Sequence, residues 1–80
     1  MASKHDLCNW LVDSLRAHAG KASIVEVCRY VWKHHESELT RSGDFFCTWQ
    51  YDIRWAATEL RKQGVLRPFD SSPKGIWELR

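Results

Sequence analysis

The helix that decides the fold is predicted at residues 48–64, where the chain reads TWQYDIRWAATELRKQG. Apolar residues recur there at the three- and four-residue spacing of an amphipathic helix. They form one inward stripe, which consists of Trp49, Ile53, Ala56, Ala57 and Leu60. Thr48 is a favourable helix cap and Gly64 a favourable stop. The pattern therefore predicts a helix at about 49–63 whose two alanines let a neighbouring helix approach closely.

The opposite face of this helix carries residues that suit a binding surface. Successive residues turn by about 100° around a helix axis, so the positions away from Ile53 should face outward. The outward positions are Tyr51, Trp55, Thr58 and Lys62, and the basic flank consists of Gln50, Arg54 and Arg61. Asp52 and Glu59 lie on the other flank, so the two flanks differ in charge.

Two further helices are expected before this one. Leu7, Leu11 and their neighbours repeat along one face and predict a helix at about 4–18. Ser23 followed by Glu26 three residues later forms a capping box, which predicts a second helix at about 24–41. The short segment between the two helices could add an edge strand.

Two short strands are expected after the third helix, at about 65–69 and 75–79. The residues between them, Asp70–Lys74, have the composition of a turn. Pro68 limits the first strand to an edge or a bulge. The expected fold is therefore mainly α, with three helices followed by a small β-hairpin, to which the short segment near Ala22 could add a third strand.

Length and composition indicate a single globular domain at residues 1–80. The hydrophobic share of 44% is too high for a disordered chain. No apolar run approaches the roughly 18 residues of a membrane span, and the N-terminus has no apolar signal region. We therefore expect a cytoplasmic protein without a membrane partner. Cys8, Cys28 and Cys47 lack paired spacing and are expected to be free thiols buried in the core.

The order of three helices and a hairpin resembles a winged helix-turn-helix domain, in which the hairpin is the wing. Residues 60–66 (LRKQGVL) and 74–79 (KGIWEL) resemble the N-terminal winged-helix domain of Mrr-type restriction systems. Residues 53–56 (IRWA) are similar to the third-helix pattern of that family. The resemblance covers nearly the whole chain and is best at 48–79. It implies a DNA-binding accessory module without a catalytic site of its own.

The expected partner is double-stranded DNA, with the third helix in the major groove. Gln and Arg side chains pair with adenine and guanine edges, so Gln50, Tyr51 and Arg54 are expected near bases. Thr48 and the backbone N–H groups beside it could hold a phosphate at the helix start. Phosphate contacts are also expected from the wing and its surroundings. The remaining candidates for DNA contact are Thr58, Arg61, Arg67, Lys74 and, less directly, Lys21 and Arg29.

Two observations leave an alternative open, namely a winged-helix protein–protein interaction module. The net charge of +2 is modest, whereas nucleic-acid-binding domains often have a pI above about 9. An outward Trp55 exposes a large apolar area unless it is covered. Either the wing covers it, through Pro68 or Phe69, or it meets a protein partner or a second copy of the chain.

Catalytic and metal-binding motifs are not found in the sequence. It contains no nucleophile elbow, phosphate-binding glycine loop or carboxylate pair. His34, His35 and Cys28 do not have the paired spacing of zinc ligands, since adjacent helical residues point in different directions. We expect His35 at the edge of the core and His34 at the surface. The sequence therefore predicts no enzyme, no cofactor, no metal and no small-molecule substrate.

Overall fold

Three helices and a two-stranded antiparallel sheet make up the fold in a computed structural model, which describes residues 4–68 and 75–80. Along the chain these elements are α1 (Lys4–Ala17), β1 (Lys21–Ser23), α2 (Ile24–Thr40), α3 (Phe45–Lys62) and β2 (Ile76–Glu78). The predicted mainly α class is confirmed. Within the described ranges, no helix is long and apolar enough to cross a membrane.

The core forms chiefly where α1 packs against α3, which is the most extensive contact between elements. Leu7, Leu11 and Leu15 of α1 are completely buried. The whole predicted stripe of α3 is buried against them, namely Trp49, Ile53, Ala56, Ala57 and Leu60. Full burial of one such leucine or isoleucine stabilises a fold by about 1.5–3 kcal/mol. The prediction of the inward face of α3 is therefore confirmed.

The start of α3 differs from the prediction. The helix begins at Phe45 rather than at about residue 49, so Thr48 lies inside its first turns. Phe45 is half-buried against the core, which draws this apolar segment into the helix. The Thr48 hydroxyl donates to an oxygen of Asp52 at 3.1 Å instead of capping the helix.

The start of α2 confirms the predicted capping box. The Ser23 hydroxyl accepts from the backbone N–H of Glu26 at 3.2 Å, and the Glu26 carboxylate accepts from the backbone N–H of Ser23 at 2.9 Å. Later in the helix, His35 has non-helical backbone angles (φ −130°, ψ 18°). Its ring stacks on Trp10 of α1 with 3.9 Å between centroids, so the helix bends where it crosses α1.

The pairing of the sheet corrects the predicted hairpin. β2 pairs with β1, which lies between α1 and α2, and Ala22 faces Trp77 in the antiparallel register. Within the described residues, the pairing expected between 65–69 and 75–79 is reduced to a bridge between Leu66 and Leu79. Hydrogen bonds from the Arg67 N–H to the Glu78 carbonyl and from the Arg80 N–H to the Val65 carbonyl, both at 2.9 Å, flank this bridge.

The end of α3 explains why residues 65–68 do not form a regular strand. The backbone N–H groups of Val65 and Leu66 both donate to the Leu60 carbonyl, at 2.9 and 3.3 Å, and so close the helix. Pro68 has no N–H to donate. Gly64 allows the reversal because its backbone adopts φ +79°, a conformation that favours glycine. The remainder of the predicted hairpin, residues 69–74, lies outside the described residues.

The three cysteines differ in environment. Cys8 and Cys28 are half-buried, and burial raises the pKa of both thiols. Cys47 is exposed because it lies in the first turn of α3 on the side away from the core. All three thiols are free, as predicted, but the expected burial of Cys47 is wrong.

Candidate binding site on the second and third helices

The outward face of α3 presents polar side chains to solvent along its first two-thirds. Tyr51 is 77% exposed, and Gln50, Arg54 and Thr58 are exposed beside it. The Thr58 hydroxyl donates to the Arg54 carbonyl at 3.2 Å, so it is held against the helix. The opposite face is locked in the core, which fixes the direction in which these side chains point.

Thr48 does not lie at a free helix start. It is exposed, but it comes after the first turn, whose backbone N–H groups already have acceptors. Those of Phe45, Phe46 and Cys47 donate to the carbonyls of residues 42–44 at 3.3, 3.1 and 3.0 Å. The phosphate-binding helix start expected at Thr48 is therefore absent at this position.

A groove of about 620 Å³ runs between the first halves of α2 and α3. We call it the α2–α3 groove. It is lined by Ile24, Val25, Cys28, Arg29, Trp32, Phe46, Trp49, Gln50 and Arg54. Three of these residues are large apolar side chains that remain accessible: Val25 is 57% exposed, Phe46 42% and Trp32 37%.

One wall of the α2–α3 groove is aromatic. The Trp32 ring lies parallel to that of Trp49, with 6.5 Å between centroids and 7° between planes. Phe46 meets the same Trp32 ring edge-on at 6.0 Å. Because Trp49 is buried in the core, it holds the exposed Trp32 in a fixed orientation. The wall is thus preformed rather than assembled on binding.

Two arginines give the α2–α3 groove a positive charge. Arg29 stands on α2 and Arg54 on α3, and the groove has no acidic lining residue in the described part of the chain. Neither guanidinium forms an ion pair with another described residue. Burial raises the pKa of the Cys28 thiol between them, and the charge of Arg54 partly offsets this effect.

Glu26 is the acidic residue nearest to Arg29 in sequence, one turn away on α2. Its pKa is lowered first by the hydrogen bond from the Ser23 backbone N–H and then by the Ser23 hydroxyl, with a smaller contribution from the charges of His18 and Arg29. Its carboxylate therefore caps α2 and forms no ion pair with Arg29, although the two opposite charges attract each other.

Trp55 is covered by α1 rather than left open to a partner. It is half-buried and packs against the core. The ring of His5 meets it edge-on at 5.6 Å, and the ammonium group of Lys4 lies 4.7 Å from its centroid. The predicted cover by the wing involves Pro68 and also Phe69, which lies outside the described residues.

In the described part of the chain, Arg61 and Arg67 do not extend Arg54 into one open strip. Arg61 is half-buried. The Arg67 guanidinium lies 3.7 Å from the Glu78 carboxylate, and Lys74 lies outside the described residues. The arginine that lines the α2–α3 groove together with Arg54 is Arg29, which the sequence indicated only weakly as a residue for DNA contact. A clearer signal was available, because Val25, Arg29 and Trp32 share one helical face at i, i+4 and i+7.

The histidines contact aromatic side chains rather than one another. His34 is exposed and its ring lies 4.2 Å from that of Tyr30. His35, half-buried as predicted, stacks on Trp10 and forms a 3.1 Å contact between its Nδ1 and a Glu38 oxygen. Among residues 4–68 and 75–80, no group of three His, Cys, Asp or Glu side chains could hold a metal ion.

Comparisons with known proteins found no match for this chain. No family model matches the chain, and neither a curated protein nor a solved structure matches it. The resemblance to the winged-helix domain of Mrr-type restriction systems therefore stays a prediction. What the fold supports directly is a small three-helix domain with a two-stranded antiparallel sheet.

Proposed function

We propose that this chain is a winged helix-turn-helix domain that binds double-stranded DNA and has no catalytic activity of its own. The observation that carries the proposal is the face of α3, where Gln50, Tyr51, Arg54 and Thr58 are exposed together while the opposite face is buried. The arrangement of β2 supports it as well, since β2 has β1 on one edge and residues 65–67 on the other.

The exposed face of α3 contacts the DNA bases in this proposal. An α-helix fits the major groove of DNA, where Arg can donate two hydrogen bonds to guanine and Gln can pair with adenine. Gln50 and Arg54 are one turn apart on the same side of α3, so they can address neighbouring base pairs. Tyr51, as the most exposed aromatic residue described, can reach a phosphate or a thymine methyl group.

Contacts with the phosphate backbone of DNA come from residues on both sides of α3. Arg29 projects from α2, and Arg67 follows the bridge between Leu66 and Leu79. An arginine has five N–H donors, so Arg67 can contact a phosphate while one of its groups faces Glu78. Lys74 is the further candidate in the wing. Two or three phosphate contacts correspond to a slope of about −2 to −3 for the logarithm of the binding constant against that of salt concentration.

The test is a titration of isotopically labelled protein with duplex DNA at low salt. We expect the amide signals of residues 50–58 to shift first. Arg54→Ala should weaken binding by about 1–3 kcal/mol and relax sequence preference, whereas Arg67→Ala should weaken binding about equally for all sequences. Arg16→Ala, which removes an exposed arginine from α1, is the matched control and should change little.

Two outcomes would reject DNA binding through α3. One is the absence of shifts in residues 50–58 at millimolar duplex. The other is an equal loss of affinity for Arg54→Ala and Arg16→Ala, since that result would indicate unspecific attraction by net charge alone.

A protein-interaction surface centred on Trp55 has less support, because Lys4 and His5 cover that side chain. A self-associating Trp55 face would give a dimer in concentration-dependent sedimentation. Three accessible apolar side chains, Val25, Trp32 and Phe46, lie instead in the α2–α3 groove, which Gln50 and Arg54 also line.

A further inference from the structure

We propose that the α2–α3 groove is a docking site for a peptide segment of a partner protein, in which large apolar side chains stand next to a carboxylate. This function goes beyond DNA binding. The occupant follows from the two chemistries that the groove combines, which are an accessible apolar wall and two arginines that form no ion pair with another described residue.

The apolar part of the groove fits aliphatic or aromatic side chains. Its volume of about 620 Å³ lies within the range of about 300–1,000 Å³ that is usual for ligand pockets. Val25, Phe46 and Trp32 leave much of their surface in water, and covering that surface is favourable. DNA phosphates gain nothing from such a wall, so DNA binding alone does not account for it.

The charged part of the groove selects an acidic partner. Arg29 and Arg54 belong to different helices and line the same groove without an acidic lining residue among the described residues. A carboxylate bound in the groove is attracted by both positive charges and can accept paired hydrogen bonds from a guanidinium. Gln50 adds a polar group that can bond to the peptide backbone.

The same features disfavour single-stranded nucleic acid as the occupant. Bases are recognised by stacking together with hydrogen bonds to their edges. One face of the Trp32 ring is directed at Trp49, and the lining near it consists of Ile24, Val25 and the Cys28 thiol. These groups suit aliphatic side chains better than polar base edges. An amphipathic helix laid into an apolar groove is a recurrent mode of peptide recognition.

The probe is a capped, alanine-rich helical peptide with leucines at i, i+4 and i+7 and glutamates beside them. A matched peptide carries lysines in place of the glutamates. Binding is followed by fluorescence anisotropy of the labelled peptides and by the indole N–H signals of Trp32 and Trp49. We expect the glutamate peptide to bind at least about tenfold more tightly than the lysine peptide, because like charges across an interface are unfavourable.

Substitutions then separate this site from the DNA face. Val25→Asp should weaken binding of the glutamate peptide by about tenfold. It should leave the amide shifts that duplex DNA causes in residues 50–58 unchanged. Tyr51→Ala lies outside the groove lining and should leave peptide affinity unchanged. Arg54→Glu should abolish the preference, because the new carboxylate offsets the charge of Arg29 and neither peptide is then favoured. This exposed variant also keeps the test valid if Val25→Asp is unstable.

Three results would overturn the groove assignment. The first is that neither peptide shifts the indole signals of Trp32 and Trp49 at millimolar concentration, or that both peptides bind wild type equally. The second is that single-stranded DNA, and not the glutamate peptide, shifts those signals. The third is a dimer in sedimentation that Val25→Asp abolishes, which would make a second copy of the chain the occupant. Loss of duplex binding by itself would reject only the DNA proposal.

Discussion

Replacing Ala57 with leucine is expected to destabilise this domain by about 2 kcal/mol. Ala57 is 1% exposed and its neighbour Ala56 is completely buried. Both lie on the α3 face that packs on α1, the most extensive contact in the fold. An isobutyl group in place of a methyl group has no space there, so α1 and α3 must move apart or adopt strained side-chain rotamers.

The magnitude follows from the packing of this site. Overpacking of a filled core costs about 1–3 kcal/mol, although part of the added apolar surface is still removed from water. A domain of this length has a free energy of unfolding of roughly 4–12 kcal/mol. At about 4–8 °C for each kcal/mol in a domain of this size, a loss of about 2 kcal/mol lowers Tm by roughly 8–16 °C.

The assay is urea unfolding followed by far-ultraviolet circular dichroism, together with a thermal scan. Thr58→Leu is the matched control, since the neighbouring Thr58 side chain is exposed and a surface substitution usually changes stability by less than about 0.5 kcal/mol. If the two variants have equal stability, Ala57 does not face α1. The rotation of α3 would then be misassigned, and the exposed positions of Gln50 and Arg54 with it.

Substitutions at three further sites test the helix ends, and a labelling experiment tests the cysteines. Ser23→Ala should lower the free energy of unfolding by about 1 kcal/mol in urea. The fold lowers the pKa of Glu26, so the ionised carboxylate stabilises the domain above the ordinary carboxyl pKa, and this stabilisation is lost as pH falls through the folded pKa. Glu26→Gln should therefore remove this pH dependence of the free energy of unfolding. An unchanged pH profile in the variant would contradict the role of the carboxylate. Gly64→Ala should cost about 1–2 kcal/mol, because the strain comes from φ +79° and not from a clash; a neutral result in urea would refute it. Cys47 should react with a thiol reagent before Cys28, whose pKa is raised by burial. If mass mapping finds Cys28 labelled first, the described burial of Cys28 in the α2–α3 groove is wrong.

The inward face of α3 and the start of α2 could be predicted because the information is local. The stripe containing Ile53 and Ala56 has helical spacing, and the capping box of Ser23 and Glu26 needs only four consecutive residues. These interactions hold in the fold as the pattern indicates.

The strand pairing could not be predicted in the same way. β-like residues at 65–69 suggest a hairpin with 75–79, but the N–H groups of Val65 and Leu66 complete the helix end instead. The start of α3 was misplaced because Thr48 is a good cap by residue type, whereas the burial of Phe45 that extends the helix is a tertiary effect. Local sequence patterns do not show whether a backbone N–H group will close a helix or pair in a strand.

The candidate site was predictable only in part. Exposure of Gln50, Tyr51 and Arg54 follows from helical periodicity, and the structure agrees. Two other features depend on how separate helices pack. One is that Lys4 and His5 cover Trp55, and the other is that Arg29 lies in the same groove as Arg54.

The junction at Ser23 has a consequence for the order in which the chain folds. Ser23 is both the last residue of β1 and the cap of α2, while its strand partner Ile76 lies more than fifty residues away along the chain. Helices form from local contacts, whereas distant strands must first overcome the entropy of closing a long loop. We therefore expect α2 to be capped before its strand is paired. In stopped-flow measurements, Ser23→Ala should slow refolding more, relative to its effect on stability, than Trp77→Leu does, and the reverse ratio would place sheet closure first.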